Sequence, residues 1–242
     1  DLLNYAEKHA IELHISAWQE YGRQLKKKFP LNFNRKARAI QQAEVMELLS
    51  TQLTEDMKIT TGVGNHQMLA AQYLVTKSPK SFITSGGFGT MGFALPNAVG
   101  THFANPGATV LAIDGDGSLL MNLGELFTIG RYNLPIKVLL LNNHGECMVR
   151  NYQKFVHGGN YVATRKGNAV NFATIARDLT FSFATRIDDR SHLADGLKAF
   201  LQADGPCFLE VICDEDEMLY PRIPAGAGYA KMILGPYMET KA

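Results

Sequence analysis

Asp114-Gly115-Asp116-Gly117-Ser118 follows the apolar run at 108–113, and Asn142-Asn143 ends the next one, at 136–142. Asp116 and Asn143 stand 27 positions apart. One helix and one strand fit between them. Each polar group therefore falls at the carboxyl end of a strand, and the two strands can be neighbours in one parallel sheet. That edge is where open α/β sheets bind ligands. An Asp carboxylate and an Asn carbonyl are hard oxygen donors, suited to Mg²⁺ that also holds phosphate oxygens. The glycines let backbone approach a diphosphate closely.

Outward from this pair, the chain alternates. Apolar runs bounded by turn residues predict strands at 57–61, 80–84, 108–113, 136–142, 180–186 and 207–212. Helical spacing predicts helices at 38–53, 66–75, 90–103, 121–132, 147–155, 170–177 and 191–203. Strands separated by helices imply right-handed crossovers. The expected fold is α/β: a three-layer αβα sandwich with a mostly parallel central sheet. Residues 1–29 read as one amphipathic helix, with Leu13, Trp18, Tyr21 and Leu25 at helical spacing. The prolines and glycines of the last 22 residues read as an irregular tail. A dinucleotide-binding domain is a weaker alternative. Gly86-Gly87-Phe88-Gly89 is Gly-rich, but its spacing is wrong for that fingerprint.

Bulk properties narrow the function classes. The 242 residues are 46% hydrophobic and 19% charged, enough for one large or two small domains with a real core. The net charge of +1 suggests neither nucleic acid nor a membrane surface as partner. No apolar run reaches membrane-spanning length, and the first residues carry no signal-peptide pattern. Cys147, Cys207 and Cys213 form no Cys-x-x-Cys pair, so they are expected as buried small hydrophobes in a reducing, cytoplasmic or organelle setting. The seven histidines show no metal-like spacing.

Three further stretches sharpen the reading: Gly62-Val63-Gly64-Asn65-His66-Gln67-Met68, Thr84-Ser85-Gly86-Gly87-Phe88-Gly89-Thr90-Met91-Gly92-Phe93, and Val138 to Asn143 followed by Met148-Val149. The paired Gly-Asp-Gly and Asn-Asn motif resembles the thiamine-diphosphate (ThDP) signature. With the other stretches, residues 38–228 resemble the diphosphate-binding module of the acetohydroxyacid (acetolactate) synthase family.

The resemblance implies a position for each site residue. Asp116 and Asn143 would bind Mg²⁺ by side chain, and Gly145 by its carbonyl. Gly117 and Ser118 would meet the phosphates at a helix start, where partial positive charge favours anions. Asn65 and His66 would contact the terminal phosphate. Gly89 and Met91 would hydrogen-bond the aminopyrimidine by backbone, with Met91 also wedging the bent cofactor. Met148 would pack near the thiazolium. His66 alone has a structural reading too, and Met91 and Met148 can equally be core. Ser118 can cap a helix as well as touch phosphate. Glu125, in the helix after the motif, reads as structural.

The implied activity is decarboxylation of a 2-keto acid such as pyruvate, with transfer of the two-carbon unit to a second keto acid. The cofactor-activating Glu would lie on a separate pyrimidine-binding module, of the same longer chain or of another subunit. A homo- or hetero-oligomer is therefore expected, and an isolated chain without turnover. FAD would belong to a middle module. On this reading residues 1–37 are a linker, 38–220 the module and 221–242 a tail, expected to be mobile without ligand and to fold toward the Asp116/Asn143 edge when cofactor and substrate bind.

Three positions depart from the family pattern. Asn65 stands where Gln is usual. Glu146 replaces an apolar residue beside the metal, facing either the site or solvent. Tyr152 replaces a Trp that shapes the second-substrate pocket. Tyr152 and Met148 are thus the candidate reaction-side residues, and the acceptor stays open. A relative that stops at decarboxylation or uses another acceptor, and a non-catalytic cofactor-binding subunit, remain as alternatives.

Overall fold

A computed structural model describes residues 1–12, 14–167 and 170–238. Among these residues six strands are found: β1 (Lys58–Thr61), β2 (Phe82–Thr84), β3 (Val110–Gly115), β4 (Ile136–Asn142), β5 (Phe183–Ile187) and β6 (Cys207–Ile212). They form one sheet in the order β2-β1-β3-β4-β6-β5, and every pairing is parallel. Such a sheet must be covered on both faces, which explains the largely apolar central strands, in which Asp114, Lys137 and Glu210 are buried exceptions.

Ten α-helices are found among the described residues: α1 (Leu2–Lys8), α2 (Ser16–Lys28), α3 (Gln42–Ser50), α4 (Asn65–Tyr73), α5 (Ala94–Ala104), α6 (Asp116–Met121), α7 (Glu125–Arg131), α8 (Cys147–Val156), α9 (Phe172–Asp178) and α10 (Leu193–Gln202). The alternation of strand side chains builds two cores. Leu111, Ile113, Leu139 and Leu141 pack with Val45, Met46 and Leu49 of α3, Leu69 of α4, and Leu197 and Phe200 of α10. Val110, Ala112, Ile136, Val138 and Leu140 face the other way, onto Leu95 of α5, Leu126 and Ile129 of α7, and Phe172 of α9. The result is the expected αβα sandwich.

The strand order reverses once beside the motif. The chain leaves β1 toward β2, then returns to place β3 on the other side of β1. The carboxyl ends of β1 and β3 therefore diverge into a crevice, the switch point at which such sheets take ligands. Gly62 follows β1 there, Asp116 follows β3, and Asn143 follows β4.

Three expectations needed correction. The single helix over 1–29 is two helices separated by residues 9–15, with Ala10 at φ 47. Neither helix buries a residue, so no packing face enforces continuity; Leu13 lies outside the described residues. The helix expected at 121–132 is also two, and the first begins at Asp116, inside the motif. The helix expected over 38–53 is shorter, Gln42–Ser50. The three cysteines are free and buried, as expected. Among the described residues no helix is long and apolar enough to cross a membrane.

Candidate functional site

Asp116 and Asn143 are both buried and meet at the sheet edge. The side-chain oxygen of Asn143 lies 3.2 Å from Asp116 Oδ1 and 3.2 Å from the carbonyl oxygen of Gly145. Three oxygens facing one another without a donor between them form an acceptor-only cluster. Exchanging O and N of the Asn143 amide would remove the repulsion. That exchange also lets Asn143 accept from Gln42 Nε2, and it is the better-paired arrangement without a cation; with a cation among the three oxygens a different exchange serves. Asn143 Nδ2 stands 2.8 Å from Gln42 Nε2, while Gln42 Oε1 is buried without a partner. Turning the Gln42 amide lets its oxygen accept from Asn143 Nδ2 and breaks no existing bond. Asn143 then keeps its oxygen toward Asp116 and Gly145. Amide orientation is an assignment from the network, and this second arrangement is the one a hard cation would select.

Burial dominates the titration of Asp116, pushing its carboxyl up to about 6. Lys166 opposes this shift and Glu146 adds to it. A buried carboxylate beside two neutral oxygens is a donor set that fits a hard divalent cation. Among the described residues no group of three His, Cys, Asp or Glu is placed to hold a metal. A site with one carboxylate and amide-type oxygens differs from a His- or Cys-rich one, and its signature is the Asp–Asn pair rather than a cluster.

Ser118 ties three loops together. Its Oγ accepts from Gly92 N at 2.9 Å and from Val63 N at 3.4 Å, leaving the hydroxyl proton free to donate. Gly92 has φ +83, and a Cβ there would stand 2.7 Å from Asn122 Nδ2 and 2.9 Å from Met121 Cβ. Asn122 Nδ2 in turn donates to Gly92 O at 2.9 Å. A glycine is required by both conformation and contact.

His66 is buried with its ring against Gly115, and its Nε2 lies 3.4 Å from Oδ1 of the fully buried Asp114. Asn65 turns its Nδ2 toward Glu217 O at 3.5 Å, and its Oδ1 has no partner. Both line a cavity of about 160 Å³ with Gly89, Met91, Asp116, Gly117, Ser118, Asn143, Gly145 and Met148. The structure thus gathers the sequence-derived residues except Tyr152 around one cavity. Tyr152, half exposed on α8, lines an adjoining cavity of about 420 Å³ that shares Met148.

Met68, Asn151, Arg222 and Ile223 also line this second cavity. The described part of the tail contributes to it. Arg222 and Ile233 exchange backbone hydrogen bonds, and the Arg222 guanidinium stacks 4.0 Å from the Phe155 ring centroid. Phe88, on the rim of the first cavity's loop, is 98% exposed.

Several neighbours of the site were not singled out from sequence. Asp114 lies inside the motif and was legible there. Gln42, Lys166 and Glu217 reach the site from positions far along the chain, and no local spacing marks them. Glu146, for which the sequence allows either site or solvent, pairs with Lys166 above Gly117.

Comparison with known proteins gives the same direction. The family model described as the thiamine pyrophosphate enzyme C-terminal TPP binding domain matches residues 62–211. The chain is 38% identical over 227 residues to acetolactate synthase 1, chloroplastic, of Oryza sativa subsp. japonica, covering 91% of this chain and 35% of that protein. It is 37% identical over 238 residues to acetolactate synthase, chloroplastic, of Arabidopsis thaliana, covering 96% and 35%. It is 37% identical over 220 residues to the acetolactate synthase large subunit of Porphyra purpurea, covering 90% and 37%. The chain spans about a third of the length of these relatives.

Proposed function

Since this chain belongs to the thiamine pyrophosphate enzymes and carries their C-terminal TPP-binding domain, we propose that it is the diphosphate- and Mg²⁺-binding half of an acetolactate synthase-like active site. One observation carries the reading: the Asp116 carboxylate, the Asn143 amide and the Gly145 carbonyl meet at the carboxyl edge of β3 and β4, within 3.2 Å of one another through Asn143. In this role Asp116 and Asn143 hold Mg²⁺ by side chain and Gly145 by its carbonyl. Gly117 N–H and the free proton of Ser118 serve the phosphates, with His66 and Asn65 at the far wall. Gly89 and Met91 position the aminopyrimidine by backbone, and Met148 excludes water between the two cavities. Bound ThDP supplies the electron sink that lets a 2-keto acid lose CO₂ and pass a two-carbon unit onward.

The pyrimidine-binding module with its activating Glu, and FAD on a middle module, lie outside these residues on this reading. Residues 38–220 are then the module, 1–37 the linker and 221–242 the tail. Phe88 and its loop are the surface that meets the pyrimidine module, in a homo- or hetero-oligomer. The named plant relatives are chloroplastic, so an organelle setting stands beside the cytoplasmic one.

A related carboligase with another acceptor is the second reading. It is favoured by Tyr152 and Arg222, which give the cavity beside Met148 a phenol and a cation.

Calorimetric titration of the chain with ThDP tests the first reading. Binding is expected with Mg²⁺, to be lost on chelation, and to be lost in Asp116→Ala and Asn143→Ala with the far-UV spectrum unchanged. Equal affinity in Asp116→Ala, or binding indifferent to Mg²⁺, overturns it.

A further inference from the structure

Lys166 comes to the site from outside the motif. Residues 164–166 run antiparallel to the loop after β4: Glu146 N donates to Thr164 O at 3.0 Å, and Lys166 N donates to His144 O at 2.8 Å. Gly145 and Arg165 form the bridge between them. This pairing fixes both backbones, and the Glu146 and Lys166 side chains form an ion pair above Gly117. A Cβ on Gly117 would stand 2.5 and 2.6 Å from the Glu146 carboxylate oxygens and 2.7 Å from Lys166 Nζ. Each side chain is about 30% exposed, 31% for Lys166 and 28% for Glu146, so neither projects freely into water.

The two charges act oppositely on an anion approaching Gly117. The ammonium attracts it and offers three donors; the carboxylate repels it and occupies the same ammonium. We propose that Lys166 is a further diphosphate-binding residue, which exchanges Glu146 for a phosphate oxygen when the diphosphate enters, and that Glu146 competes with the diphosphate for it. The inference deepens the cofactor reading above and rests on it. An ion pair that only supports the fold gives a different pattern, in which removal of either partner weakens the site in the same sense.

The test is titration of the full chain at saturating Mg²⁺ with ThDP and, separately, with inorganic pyrophosphate, which isolates the diphosphate end. Lys166→Met is expected to weaken both ligands by about tenfold or more, the ordinary worth of a charge-assisted hydrogen bond. Lys166→Arg should retain most of the affinity. Glu146→Gln is expected to tighten both ligands by roughly threefold, the sense set by removing a like charge from an anion site. The dependence of affinity on salt should be shallower in Lys166→Met than in the wild type. Circular dichroism and Tm of each variant separate folding from binding. If wild-type chain binds both ligands but the two substitutions weaken them alike, or leave them unchanged, the inference falls and the cofactor reading stands. If the wild type binds neither ligand with Mg²⁺, both fall together.

Discussion

The carboxylate of Glu217 accepts the backbone N–H of Gln42 at 2.6 Å and that of Ala43 at 3.2 Å, joining residues 175 and 174 positions apart. These are the first N–H groups of α3, which have no partner within the helix. The contact fixes the start of α3, and with it the Gln42 amide that faces Asn143. A buried carboxylate from the segment after β6 thus positions a neighbour of the candidate cation site.

Burial pushes the Glu217 carboxyl up to about 7 from an ordinary 4.5, and the two N–H donors only partly offset this. The folded chain therefore holds a proton there that the unfolded chain releases. Its stabilising contribution is full below about pH 4.5 and is lost as pH rises through about 7. Urea unfolding at pH 5, 6, 7 and 8 should show this fall. Glu217→Gln should flatten it between pH 5 and 8; an unaltered slope in the variant would rule Glu217 out as the cause.

Asp116 has the same sign, with its carboxyl raised to about 6. Without Mg²⁺, Asp116→Asn is expected to raise Tm at pH 8, since a charge costly to bury is removed; the gain is at most about 3 kcal/mol. With Mg²⁺ and ThDP that advantage should shrink or close. A ligand at a hundred times its Kd stabilises the wild type by about 2.7 kcal/mol, and the variant should gain little. Equal ligand-induced shifts in thermal scans of the two proteins would contradict this.

Gly92→Ala places a Cβ 2.7 Å from Asn122 Nδ2 at φ +83. It strains the backbone and displaces the N–H that Ser118 Oγ accepts. A loss of about 1–3 kcal/mol is expected, read as a lower urea midpoint at unchanged slope. A wild-type midpoint would mean that the loop shifts without cost.

Tyr152→Trp enlarges the side chain that lines the cavity next to Met148. In the complete enzyme it is expected to change the ratio of products formed from two competing keto-acid acceptors, with the rate of CO₂ release from the donor little altered. Product analysis by mass spectrometry decides it. A constant ratio would place acceptor selection elsewhere.

Much of the architecture was written locally. The strands at 136–142 and 207–212 match their sequence-derived limits, because each is a largely apolar run buried on both faces, with Lys137 and Glu210 its buried exceptions. Asp116 and Asn143 were legible as a pair since chain order alone sets two strand ends at one edge of a parallel sheet. Where no partner face exists, as in α1 and α2, helical spacing did not suffice for one continuous helix. The tertiary structure decided which distant groups share the edge: Gln42 against Asn143, Glu217 against α3, and Lys166 paired with Glu146 over Gly117. Periodicity follows from a residue's neighbours along the chain and is readable there. Side-chain pairing across 20 to 175 positions follows from how helices and loops dock on the sheet, which no local spacing encodes.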